Sequence, residues 1–172
     1  MKFNEPMTSI WTLSLVVALS LLITINCNLM ENDHDISGMD TTNLKLGETI
    51  ILAEVAFTPE EKSKGLSGRK SLNNGSGMLF YYLESSPSGF WMKGMLFAID
   101  IIWIGKDCRI IKIDAGIPPP SSLNQLEIYP APELTGAVLE LNSGQASSLG
   151  LKIGDLVFYE TTKMGKTLFC TE

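Results

Sequence analysis

Five side chains in this sequence are placed where they could meet a ligand: Arg69, Phe90, Trp91, Lys93 and Asp100. Asp100 interrupts FAIDIIWI, residues 97–104, a run apolar on both sides of it. An ionised carboxylate inside such a strand is costly unless it is paired and hydrogen-bonded. Lys93 precedes the same strand and Arg69 stands in a glycine-rich loop, so either can supply the countercharge, Arg69 with two-pronged geometry. Three roles follow. The pair is a structural pin between loop and sheet; or Arg69 and Lys93 face a pocket for an anionic group, with Phe90 and Trp91 as its apolar wall; or Asp100 is a general acid or base.

Other chemistries fail on residue type. The only histidine, His34, falls in a polar stretch near the N-terminus. Ser-His-Asp and Cys-His constellations therefore lack a base within the domain, and histidine metal sites lack a ligand. No two cysteines are close enough in sequence for a zinc or dithiol site. GLSGRKS, residues 65–71, has two residues between its glycines where a phosphate loop has four, and Arg69 where that loop needs Lys. Met78, Met92 and Met95 could offer thioethers to cuprous copper, but methionine fills cores far more often. The expectation is no metal, no cofactor and no assigned catalytic residue, with an enzyme the less favoured reading.

The chain has 172 residues, 19% of them charged and 45% hydrophobic, which is the composition of one folded globular domain behind a short leader. A net charge of -6 with no Lys/Arg cluster argues against nucleic acid as a partner and against electrostatic adhesion to anionic membranes.

Residues 10–25, IWTLSLVVALSLLITI, are uncharged and have the length of a signal-peptide core, while the uncharged stretch 6–30 is long enough to span a membrane. Cys27 follows at once, then the polar run NLMENDHDISGMD, the arrangement of a bacterial lipoprotein. Asn26 and Thr24 depart from the usual residues before the modified cysteine. Lipidation at Cys27, an uncleaved helix and soluble export all remain open, and each puts the domain outside the cytoplasm. If Cys27 carries lipid, Cys108 and Cys170 are left to form a disulfide in an oxidising compartment, or to stand apart as two small apolar side chains.

The positioning elements are short. The predicted organisation is a signal peptide or anchor over 1–26, a flexible tether over 27–47 and a β domain over 48–172. TIILAEVAF, 49–57, reads as a strand; Thr58, Pro59 and Glu61 then give a capping box for a helix stopped by Gly65. MLFYY, 78–82, is a second strand. Residues 97–104 form a central strand covered on both faces, with 108–114 returning as its hairpin partner. A proline-bearing loop from 118 leads to a strand over 136–144, a turn-helix over 148–155 and a closing hairpin of LVFYE with TLFC. Strands this short, with turns between them, indicate a mainly β fold with one or two short helices: an antiparallel or mixed sandwich or barrel-like sheet.

KGLSGRKSL (64–72), GMLF (77–80), FWMKG (90–94), IDIIWI around Asp100, LELNSG (139–144) and IGD (153–155) together resemble the DUF192, or UPF0127, family over roughly residues 48–160. That resemblance implies a compact, mainly β domain, commonly exported in bacteria, with no established activity. Family members usually carry Asn and Thr after the FWMK stretch and Pro before the aspartate, where this chain has Gly94, Met95 and Ala98. The expected function is a membrane-tethered extracytoplasmic binding or interaction module for a small anionic ligand or an envelope component. Its working face is expected on the loops at 66–72, 88–96 and 116–133. The alternatives are an Asp100-dependent enzyme acting on a cell-envelope substrate and an envelope assembly or scaffold protein.

Overall fold

The computed structural model describes residues 38–82, 87–122, 124, 126–168 and 170; the leader, Cys27 and His34 lie outside the described residues. The described chain is mainly β, with two short helices. In order the elements are β1 (Asp40–Leu46), β2 (Thr49–Ala56), α1 (Pro59–Lys64), β3 (Ser76–Tyr81), β4 (Gly89–Trp91), β5 (Ile99–Gly105), β6 (Ile110–Ile117), β7 (Ile128–Pro130), β8 (Thr135–Asn142), α2 (Gln145–Ser148) and β9 (Val157–Tyr159).

Seven strands form one sheet in the order β6-β5-β8-β3-β2-β1-β9, while β4 and β7 pair as a separate ribbon. Within the large sheet only β2 and β3 run parallel, so the chain must cross over between them, and α1 lies in that crossover. The predicted capping box is present: Glu61 N–H donates to the Thr58 hydroxyl at 3.1 Å and Glu61 Oε2 accepts from Thr58 N–H at 2.9 Å. The sheet curls into a half-barrel. Its two edge strands meet at one end, where Arg109 and Leu156 form an antiparallel bridge flanked by Ile110 N–H to Asp155 O (2.9 Å) and Val157 N–H to Cys108 O (2.8 Å). Cys108 and Cys170 are disulfide-bonded beside this seam.

Strand alternation sends side chains to two cores. Leu44, Val55, Leu79, Ile102, Leu139 and Leu141 fill the inner one. Met78, Phe80, Ile99, Ile101, Trp103 and Val138 face the other side, where the loop after α1 and the segment after β4 roof them with Leu66, Leu72, Met92 and Met95. β5 is buried along its whole length, as its two-faced apolar sequence requires.

Two boundaries differ from the sequence expectation. Residues 40–46, assigned to the tether, form β1, which hydrogen-bonds to β2 on one side and β9 on the other. The polar letters of DTTN hid it: Asp40 and Thr42 point inward but are satisfied by the C-terminal segment, Thr162 Oγ1 donating to Asp40 at 2.5 Å and Thr42 Oγ1 to Glu160 O at 2.7 Å. Among the described residues the expected closing hairpin of LVFYE with TLFC forms no ladder. β9 pairs with β1 instead, and Cys170 is held by the disulfide and by Tyr159 N–H to Cys170 O at 2.9 Å.

Candidate functional site

The roof over the second core encloses a cleft of about 290 Å³ between α1 and its following loop, the end of β3, and β4 with the residues after it. Phe90 forms its inner wall. Its ring packs edge-on against Phe80 at 4.8 Å and Trp103 at 5.5 Å, which fixes β4 to the sheet. Trp91, next in the strand, is 53% exposed. Lys62, Lys64 and Lys93 also line the cleft. The Lys62 ammonium lies 4.3 Å from the centre of the Tyr82 ring, and burial holds its pKa below the ordinary lysine value, with Glu61 opposing.

The two walls are tied together through the backbone, Gly68 N–H donating to Gly94 O at 2.9 Å. Gly94 has φ 72°, and a Cβ there would collide with the Ser67 hydroxyl. Gly94 therefore lets the two loops close on one another.

Phe90, Trp91 and Lys93 thus meet at one recess, whereas Arg69 and Asp100 are not among its lining residues. Arg69 is spent on Glu54, with Nη1 to Oε1 at 3.0 Å and Nη2 to Oε2 at 2.8 Å. Asp100 is fully buried and answered by backbone rather than by a cation: Gly116 N–H at 2.8 Å and Ala146 N–H, in the first turn of α2, at 2.9 Å. It joins β6 and α2 to the central strand. The expected charge partnership of Asp100 with Arg69 or Lys93 is corrected accordingly.

The residue that sequence reasoning missed is Glu140. It sits in β8, opposite Met78 of β3 and Ile101 of β5, and only 5% of its surface is exposed. It lines the cleft, and among the described residues nothing hydrogen-bonds its carboxyl. Burial pushes its pKa up to about 8, against the pull of Arg69. Burial, with the Glu140 charge adding to it, raises the Tyr82 phenol to about 12. The signal was present in the strand GAVLELN: Glu140 is an acid flanked by apolar residues, as Asp100 is in its own strand.

A second recess of about 190 Å³ lies under the proline-bearing loop, lined by Met92, Pro118, Pro119, Pro120, Glu127 and Tyr129 among others. Among the described residues no cluster of His, Cys, Asp and Glu could hold a metal ion, and no helix is long and apolar enough to cross a membrane.

A curled sheet with one face roofed by loops that leave a ligand-sized recess defines a small β module with a single-chain cleft. The chain belongs to the DUF192 family, described as "Uncharacterized ACR", whose profile matches residues 41–159. It is similar to a crystal structure of a protein of unknown function from Novosphingobium aromaticivorans, 35% identical, with a TM-score of 0.62 over 72% of this chain and 89% of that one. It is also similar to a protein from Sinorhizobium meliloti described as a candidate transcription regulator, 26% identical, with a TM-score of 0.57 over 70% of this chain and 92% of that one. No curated protein matches it.

Proposed function

We propose that this protein is an exported, membrane-tethered binding module that takes a small anionic ligand in the cleft between α1 and β4. The observation that carries the reading is the convergence of Lys62, Lys64 and Lys93 with the rings of Phe90 and Trp91 around one recess. Three ammonium groups beside aromatic walls suit a compact anion with an apolar body. The tether is the segment before β1, anchored either through lipid on Cys27 or by an uncleaved helix over the uncharged stretch 6–30.

A second reading, recognition of an envelope protein, draws support from the β4–β7 ribbon, where Trp91 and Ile128 are register partners and both more than half exposed. An enzyme built on Asp100 has no such support, since that carboxylate is committed to two backbone amides.

Native mass spectrometry of the detergent-extracted full-length protein tests tether and ligand together. The expected spectrum shows a lipid-modified N-terminus at Cys27 and a retained small anion. A chain beginning at Met1 sinks the lipid anchor. A Lys64→Glu/Lys93→Glu double variant that keeps its anion overturns the cleft as the anion site.

A further inference from the structure

We infer that Glu140 is the specificity-determining residue of this cleft and meets a ligand carboxylate as a hydrogen-bond donor, so that the preferred ligand is a small aromatic or apolar monocarboxylate. The inference rests on the cleft being an anion site and adds to it the functional group recognised.

Glu140 is a buried carboxyl lining a cleft of ligand size, with no hydrogen-bond partner of its own among the described residues. A carboxyl that lines a cleft without a hydrogen bond from the protein is open to a ligand that supplies one. The surrounding groups decide what kind of ligand that is. Cations face the recess from α1 as Lys62 and Lys64 and from the segment after β4 as Lys93. Arg69, from the loop after α1, adds its field while its donors stay on Glu54 of β2, and the Tyr82 phenol at the end of β3 stays protonated. From β5, the register partner is the apolar Ile101.

A cationic ligand would enter against these positive charges and would require Glu140 to ionise in a buried site. A carboxylate meets neither obstacle. Glu140 keeps its proton at neutral pH and donates it in a hydrogen bond to the ligand oxygen, while the lysines balance the ligand's charge. Leu66, Phe80 and Met95 line the same recess and suit a ligand with an apolar body, and the single protonated carboxyl of Glu140 matches a single ligand carboxylate.

The experiment is calorimetric titration of the detergent-solubilised full-length protein with phenylacetate from pH 5.5 to 9.5, with phenylacetamide and phenethylamine as neutral and cationic comparators. Phenylacetate should bind with near-constant affinity to about pH 7 and then weaken, approaching about tenfold per pH unit above the point where Glu140 ionises. Glu140→Gln, which donates through its amide but cannot ionise, should still bind and lose that decline up to pH 9. A wild-type affinity that does not change between pH 6 and 9 overturns the inference and leaves the anion site standing. A decline that persists unchanged in Glu140→Gln does the same and assigns the proton to Lys62. Tight binding of phenethylamine, or no binding of phenylacetate at any pH, overturns both readings.

Discussion

Arg69 closes both ends of its guanidinium on Glu54, Nη1 to Oε1 at 3.0 Å and Nη2 to Oε2 at 2.8 Å, so the loop after α1 is fastened to β2. The pair is mostly shielded, with side-chain exposures of 13% and 21%. Its geometry matters as much as its charge. Arg69→Lys, which keeps the charge but not the fork, should cost about 1 kcal/mol, and Arg69→Ala, which strands the Glu54 carboxylate, about 2–3 kcal/mol, read as shifts in denaturant midpoint. Anion affinity should change little in Arg69→Lys. An Arg69→Ala protein of undiminished stability that no longer binds an anion would make Arg69 a ligand contact after all.

Asp100 should behave as a structural residue. Each of its oxygens accepts one backbone N–H, so Asp100→Asn turns one acceptor into a donor facing a donor. A loss of about 2–4 kcal/mol is expected, with faster amide exchange at Gly116 and Ala146. If the variant keeps wild-type stability but loses a ligand, Asp100 belongs to the site.

Glu140 should give the protein an unusual pH profile. Its folded pKa, about 8, lies above the ordinary 4.5, so between those values the folded state holds a proton that the unfolded chain has released. Stability therefore falls as pH rises from about 5 to about 8, by an amount reaching about 3 kcal/mol at pH 7 relative to low pH. Glu140→Gln should lack this slope and become the more stable protein above neutrality. Urea denaturation at pH 5, 6, 7 and 8 checks it, and parallel slopes for the two proteins would contradict the assignment.

The Cys108–Cys170 disulfide spans 62 residues of sequence and sits where β6 and β9 meet. Cross-linking across a loop of that length restricts the unfolded chain, so reduction should cost about 4 kcal/mol on the chain-entropy account. The loss should be uneven. Amides at the seam, those of Ile110, Gly154 and Val157, should exchange first, while β3, β5 and β8 at the centre of the sheet stay protected. Loss of protection spread evenly over the sheet would show that the seam is not the weak point.

The parts of the structure that depend on near neighbours along the chain were legible in the residues alone. The all-apolar faces of residues 97–104 predict a covered strand and β5 is one; Thr58, Pro59 and Glu61 predict a capped helix start and α1 has it. The same holds for family membership, which the motifs around Gly65, Trp91 and Asp100 carry in order and spacing. Alternation also required that any acid within an apolar strand be answered by something.

What answered it was decided in three dimensions. Asp100 took two backbone amides that lie 16 and 46 residues away, Arg69 took Glu54, and Glu140 took no hydrogen bond from the described residues, although all three acids stand in apolar strands. Hydrogen-bond and charge partners are set by which strands become neighbours, and the parallel β2–β3 pairing with β8 beside it brings Glu54 and Glu140 to either side of Met78. Likewise β1 was hidden because its polar inward residues are satisfied by a segment more than 115 residues downstream. Spacing shows that a polar group must be paired, and only the fold brings the partner to it or leaves a cleft where the partner would be.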